Sequence, residues 1–313
     1  MIIVFGSINM DMSLKVEKLP IPGETVLTNQ YILYPGGKGA NQALAAARAG
    51  VKVALVGRVG NDHYGKEATD GIKRDGVMVS GVARSDLPTG CAVATRDAGG
   101  NKQILVMSGA NIEVTHDQVP DEILTPQNVL LMQMELPVTE TMTLLERAKA
   151  KGVKTILNLA PAIKVPGKAF GLLDYLIVNS IEARQIAERL KMNVENNALK
   201  IAQALAMAGQ LTCIVTLGKR GAVAVTKDGK AWGVPILELD QSLIVDNIGA
   251  GDAFCGTFAA AIHDGKDLVT AMRRASVAGT LACLKEGAQA AIPFLDDIEA
   301  RLPELGPTEE VKI

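Results

Sequence analysis

The stretch Asp246-Asn247-Ile248-Gly249-Ala250-Gly251-Asp252-Ala253-Phe254 combines two chemistries that ordinarily repel one another. Gly249-Ala250-Gly251, ahead of an apolar segment, has the composition of a backbone nest at a helix N-terminus. Unpaired N–H groups and partial positive charge there favour a phosphate. Asp252 puts a carboxylate at the mouth of that nest, and Asp246 adds a second charge close by. Helix capping accounts for an Asp at this point, but it leaves the glycines and the apolar helix unexplained. The glycines and the apolar segment therefore mark a candidate ligand site, with the role of Asp252 left open by its local sequence.

Other short stretches offer compatible groups. Gly36-Gly37-Lys38-Gly39-Ala40-Asn41-Gln42-Ala43 allows positive φ and close backbone approach, with a cation and an amide at a helix start. It is neither a Walker A loop nor a Gly-x-Gly-x-x-Gly turn, and its plain reading is a tight β-to-α turn with a solvated lysine. Gly6-Ser7-Ile8-Asn9-Met10-Asp11 follows the first strand. The carboxyl ends of parallel strands open into the ligand crevice, where Asn9 and Asp11 suit hydroxyl groups; an Asx-rich turn is the alternative. Glu135 ends another strand, and Asn158 lies within the next. Asn179-Ser180-Ile181-Glu182 sets an amide and a carboxylate three apart, fit for a hydrated magnesium and its phosphates or equally for a capped helix start. Thr216-Leu217-Gly218-Lys219-Arg220-Gly221 reads as a hairpin turn or as close contact to a nucleotide.

These groups need a scaffold that gathers strand ends, and the patterning supplies one. Ile2–Phe5, Val53–Gly57, Val129–Gln133, Thr155–Leu159, Tyr175–Val178 and Cys213–Leu217 read as strands. Helical patterns alternate with them at Ala40–Ala49, Tyr64–Arg74, Val138–Lys149, Ile181–Leu190 and Ala198–Ala208. That alternation predicts an α/β fold, a mainly parallel sheet covered on both faces. Ala250–Ala261 and Leu268–Lys285 are apolar nearly all round, as buried helices are. Ser13–Tyr34 and Thr89–Met107 carry hairpin signals, the second around the turn Asp97-Ala98-Gly99-Gly100-Asn101. They predict a small inserted β-sheet, from about 13–34 and 89–107, within a single domain over 1–313.

Composition narrows the partners. The 313 residues are 48% hydrophobic and 3% aromatic with a net charge of −2. Without a basic run or aromatic-basic ladder, nucleic acid is disfavoured. The four cysteines are scattered without a Cys-x-x-Cys pair, and the three in apolar runs read as small buried thiols. No leader pattern and no charge-free run of membrane length are visible, which predicts a soluble cytoplasmic protein.

With these motifs in hand the chain resembles the ribokinase (PfkB) carbohydrate kinases. Gly-Gly-Lys-Gly-Ala-Asn-Gln-Ala at 36–43 and Asp-x-x-x-Ala-Gly-Asp-Ala-Phe at 246–254 are similar to that family's two signatures, and the likeness extends from Gly6 to Gln289. Pro22-Gly23-Glu24-Thr25 brings it nearest the ribose-specific members. The resemblance implies ATP-dependent phosphorylation of the 5-hydroxyl of D-ribose. It assigns Asp252 as base and Gly249, Ala250 and Gly251 as anion hole. Asn9, Asp11, Gly37, Lys38, Asn41 and Glu135 would bind the sugar. Asn179, Thr216, Gly218, Gly221 and Gly251 would contact the nucleotide, with Glu182 serving Mg2+ through water. A K+ site would use Asp246 and carbonyls near Ile248, Ala282, Lys285, Gly287 and Ala291. The β insertions would form a lid that also joins two subunits in a homodimer. One departure is Ser276, where some members place a His beside adenine; the adjoining Gly279 and Thr280 are not diagnostic.

Two further readings remain open at this level: a kinase of the same family for another sugar or a nucleoside, and a non-catalytic sugar- or nucleotide-binding sensor. Scarce aromatics weigh against a nucleoside base pocket, and the presence of Asp252 with its glycines weighs against the sensor. A dinucleotide dehydrogenase lacks support because Gly6-Ser7-Ile8-Asn9 replaces the required glycine turn.

Overall fold

The computed structural model describes every residue except Gly100 and Ile313, and the backbone alone of Lys102. Gly100, assigned above to a hairpin turn, lies outside the described residues. The chain runs β1 (Ile2–Phe5), β2 (Asn9–Lys15), β3 (Tyr31–Gly36), α1 (Lys38–Arg48), β4 (Val53–Gly60), α2 (His63–Arg74) and β5 (Met78–Ser85). Next come β6 (Cys91–Arg96), β7 (Lys102–Met107), β8 (Val129–Gln133), α3 (Val138–Ala150), β9 (Lys154–Asn158), β10 (Tyr175–Asn179) and α4 (Ser180–Arg189). It continues through α5 (Ala198–Gly209), β11 (Thr212–Thr216), β12 (Ala222–Val225) and β13 (Ala231–Val234). The last elements are α6 (Ala250–His263), α7 (Leu268–Leu281), α8 (Ala288–Ala291), α9 (Leu295–Arg301) and β14 (Glu309–Glu310).

The main sheet has the order β14-β13-β12-β11-β10-β9-β8-β1-β4-β5. Neighbours pair in parallel from β11 across to β5, and β12 to β14 add an antiparallel edge. Strand β1 lies at depth, and side-chain alternation divides it between two cores. Ile2 and Val4 pack with Ala40, Ala43, Phe254 and Phe258 on one side. Ile3 and Phe5 pack with Leu144, Leu145 and Ile186 on the other. A strand buried on both faces reads as an unbroken apolar run, as I-I-V-F does.

The second sheet has the order β3-β2-β6-β7. Two antiparallel hairpins meet side by side through the parallel pair β2–β6. This sheet extends beyond 13–34, since β2 starts at Asn9 and β3 ends at Gly36. Its inner ends are therefore the site residues themselves.

Small residues set the helix spacing that matters most. A Cβ on Gly256 would collide with the Gln42 carbonyl and lie 2.6 Å from Ala45 Cβ, so α1 and α6 touch backbone to backbone. Cysteines 91, 213, 255 and 283 are all free thiols. Among the described residues, no helix is long and apolar enough to cross a membrane.

Candidate active site

Helix α6 opens on Gly249, whose φ of 78° is left-handed. A side chain there would be strained, and its Cβ would lie 2.9 Å from Ala288 Cα. A Cβ on Gly251, in contrast, would meet nothing within 4 Å. The face of Gly251 is thus the open side of the nest. Asp252 stands in the first turn and does not cap the helix. Its carboxylate, 8% exposed, accepts 2.9 Å hydrogen bonds from Asn41 Nδ2 on Oδ2 and from Gln42 Nε2 on Oδ1. The backbone contact at Gly256, one turn along α6, brings α1 close enough for both amides to reach.

The sugar-side candidates converge beside it. Asn9 is buried and accepts at 2.9 Å from the Asn111 side chain, which also accepts from Ile8 N at 3.0 Å. Asp11 accepts from Ala92 N at 3.0 Å across the β2–β6 seam. Burial pushes its carboxyl up to about 6, opposed by the N–H groups of Ala92 and Gly37 and reinforced by the charges of Glu135 and Asp252. Glu135 accepts 2.6 Å from Ser7 Oγ and 3.3 Å from Lys38 N. Asn41 Oδ1 is buried without a hydrogen-bond partner, and such an atom ordinarily finds one.

The glycines around Lys38 make room chiefly for the chain itself. A Cβ on Gly36 would fall on the Asp11 carboxylate, and one on Gly39 would fall on Gly6. Gly37 has φ 87°, and a Cβ there would lie 2.8 Å from Ser7 O and Asn9 N. The triplet therefore presses the α1 N-terminus onto the end of β1.

Lys38 is the charge at the centre. Burial works against its ammonium, but the fields of Asp252, Glu135 and Glu182 outweigh that and hold its pKa above the usual lysine range. Those three carboxylates come from α6, the β8 end and α4, so Lys38 reports how closely the two halves of the crevice approach.

On the other half, Asn179 and Thr216 are register partners at the carboxyl ends of β10 and β11. Asn179 caps α4, accepting 2.9 Å from Ile181 N and Glu182 N, while Glu182 accepts 2.8 Å from Asn179 N. The capping reading of this motif holds, and Glu182 faces the crevice as well. Burial raises its carboxyl's pKa, the Asn179 N–H and Lys38 oppose that, and Asp252 adds to it. Gly218 and Gly221, with φ 60° and 85°, shape the turn between β11 and β12. A Cβ on Gly221 would fall on the Val234 carbonyl.

The Asp246 group lies behind the nest. Val245 N and Asp246 N donate to the Cys283 carbonyl at 2.9 and 3.3 Å, tying this turn to the segment that carries Ala282, Lys285, Gly287 and Ala291. Asp246 Oδ1 accepts from Asn247 N at 2.7 Å and Ile248 N at 3.1 Å, and it pairs at 3.5 Å with Arg96 from the small sheet. Lys15 of the same sheet pairs with Glu286 at 3.6 Å. Ser276, 5% exposed, donates 2.5 Å to the Pro235 carbonyl. Thr280 donates 2.8 Å to Ser276 O, and Gly279 packs on Ala250 O. All three are engaged with the chain's own interior.

Several contributors escape a reading by motif. Asn111, Gln133 and Arg96 each hold a residue of these motifs from a distant part of the sequence. Of these only Gln133 carries a signal, as the one polar residue in the buried strand V-L-L-M-Q.

The chain is similar to known proteins in sequence and in fold. A family profile described as pfkB family carbohydrate kinase matches residues 1–295. The ribokinase of Bacillus subtilis is 33% identical over 306 residues, 96% of this chain and 99% of that protein. A bifunctional ribokinase/ribose-5-phosphate isomerase A of Fructilactobacillus sanfranciscensis is 37% identical over 95% of this chain, which spans 55% of that longer protein. The crystal structure of Thermotoga maritima ribokinase superposes with a TM-score of 0.88 at 31% identity, covering 96% of this chain and 99% of that one. Arabidopsis thaliana ribokinase complexed with ribose and ATP gives 0.85 at 28% identity, covering 96% and 98%. With a buried carboxylate at a glycine-lined helix start and the family profile spanning both halves of the crevice, the chain belongs to the pfkB family of carbohydrate kinases.

Proposed function

We propose that the protein transfers the γ-phosphoryl group of ATP to the 5-hydroxyl of D-ribose, with Asp252 as base and the N–H groups of Gly249-Ala250-Gly251 as anion hole. The observation that carries this reading is the placement of Asp252. A buried carboxylate adjoins an open helix N-terminus, and the polar groups Asn9, Asp11, Asn41 and Glu135 converge beside it. Phosphoryl transfer asks little covalent work of the protein, so positioning and charge dominate. Asp252 orients the attacking oxygen and accepts its proton as the bond to phosphorus forms. Lys38 offsets negative charge between the reactants. Relatives of 30–37% identity that carry the ribokinase name support ribose as the sugar.

Among the described residues no cluster of three or more His, Cys, Asp and Glu side chains could hold a metal. Mg2+ is bound in many such sites through one or two carboxylates, water and substrate phosphates, and Glu182 fits that mode. Bound there, it would neutralise phosphate charge. Asp246 with the carbonyls of Ile248 and the 282–291 segment is an oxygen donor set suited to a hard cation such as K+, and the Cys283 contacts bring these segments side by side. A cytoplasmic location belongs to the same proposal, in keeping with four unpaired cysteines.

Sugar binding should follow the ionisation of Asp11. Its carboxyl sits near 6 in the free protein, so below that pH the proton is on and a sugar hydroxyl that needs an acceptor must displace it. Ribose affinity by titration calorimetry should be flat above about pH 6 and weaken by about tenfold per unit below it. In Asp11→Asn the affinity should be weak and independent of pH. A wild-type affinity unchanged at pH 5 would remove Asp11 from the sugar site.

The small sheet is proposed as a lid and as the surface joining two copies of the chain. Its two outer strands expose apolar side chains, Tyr31 at 61% on β3 and Ile104 at 60% and Leu105 at 71% on β7, and apolar strand edges of this kind are covered by a second strand or subunit. Sedimentation velocity should give a dimer for the wild type and a shift toward monomer for Leu105→Asp. A monomeric wild type at micromolar concentration would contradict this.

A further inference from the structure

The buried amides behind Asp252 form a chain with one defined direction. Asn158 Nδ2 donates to the Ile177 carbonyl at 3.0 Å. A carbonyl can only accept, so this anchor turns the oxygen of Asn158 toward Gln42. The group that Gln42 offers must then be its nitrogen, and Nε2 reaches Asn158 Oδ1 at 3.1 Å and Asp252 Oδ1 at 2.9 Å. Both N–H groups of the amide are now engaged, and Gln42 Oε1 must face a donor. Gln133 Nε2 provides it at 2.7 Å.

The surroundings make this direction strict. Gln42 and Gln133 are 0% exposed, so bulk solvent does not reach this amide chain. Reversing Gln42 would set its oxygen against both Asn158 and the Asp252 carboxylate, acceptor facing acceptor. The backbone is shaped around the chain as well. A Cβ on Gly6 would fall on the Gln133 amide, and one on Gly256 would push α1 away from α6. An apolar side chain at either glutamine would fill this core without needing partners.

We infer that Gln42 and, behind it, Gln133 are positioning residues for Asp252. A directed amide chain, anchored on the Ile177 carbonyl, presents only N–H to Oδ1 and keeps that carboxylate a fixed proton acceptor. The inference rests on the reading of Asp252 as base. Several other groups set the electrostatics at Asp252: Lys38 from α1, Glu182 from α4, Asp11 from β2 and Cys255 on α6 itself. A change confined to Gln42 leaves all of these in place.

The test is the pH profile of kcat/KM for sugar phosphorylation in Gln42→Met, with Asp252→Asn and the double variant alongside. Loss of one charge-assisted donor should move the acid limb up by about one pH unit. It should lower kcat at pH 7 on the order of tenfold while KM for ATP changes less than about twofold. In the Asp252→Asn background the same substitution should cost almost nothing further, because its route to the reaction is gone. An acid limb that stays put, or an equal fold-loss in both backgrounds, overturns the inference. If Asp252→Asn alone keeps most of its turnover, the base assignment fails instead, so the two failures are distinct. Should Gln42→Met not fold, Gln133→Met is read in the same way. Its contact with Asp252 runs through Gln42 among the described residues, and a smaller upward shift of the limb is expected. An unmoved limb in that variant overturns the inference.

Discussion

Asp252→Asn is expected to lower kcat by about 10³-fold while leaving the affinities for ribose and ATP within a few-fold of wild type, the range for loss of a positioned general base. The fold should survive, because Asn keeps the shape of Asp. Its Oδ1 can still accept from Gln42 Nε2, the partner that Asp252 Oδ1 has at 2.9 Å. What is lost is the acceptor for the hydroxyl proton. Single-turnover rates and titration calorimetry on the same preparation separate the two effects. Turnover within tenfold of wild type would remove the base from the mechanism. An equally large loss of sugar affinity would make Asp252 a binding group first.

Gly251→Ala should separate the anion hole from the fold. A Cβ at Gly251 meets nothing of the chain within 4 Å, and Ala is favoured over Gly within a helix by up to ~1 kcal/mol. Melting temperature should therefore hold or rise slightly. The methyl group would stand on the open face of the nest, where the proposed anion hole would offer its N–H groups to phosphoryl oxygens. The phosphoryl-transfer rate should fall by about 10²-fold or more, the scale for an impaired oxyanion site. Gly249→Ala gives the contrast: left-handed φ and the approach to Ala288 make it a destabilising change. A Gly251→Ala enzyme with full activity would put the phosphoryl group elsewhere.

How much of this was legible in the sequence follows from the range of the interactions. The parallel sheet could be read because its central strands are apolar on both faces and bounded by turns, as I-I-V-F is. Strand β5, M-V-S-G-V-A-R-S, escaped because it has burial on neither face for its full length. The strands β12 and β13 escaped because they are only four residues long and follow turns with glycines suited to several conformations. The geometry of the proposed site was legible where a motif fixes local structure, as at Gly249 to Asp252, which open α6. The glycines of 36–39 were legible as a close-approach signal, and the structure shows their approach to Asp11, Ser7 and Gly6. Asn179 and Glu182 satisfy a capping box and a crevice position at once, so their sequence alone cannot separate the two. Asn111 and Arg96 act across the fold, without spacing or periodicity to mark them.

The most direct test of the account is ADP release from ATP and Mg2+ across a panel of sugars and nucleosides, run with and without potassium, with the phosphorylated product identified by NMR. The account predicts the highest kcat/KM for D-ribose, a 5-phosphate as product, and faster turnover with potassium than without. No release above the sugar-free control with ribose, or a clear preference for a nucleoside, would contradict it.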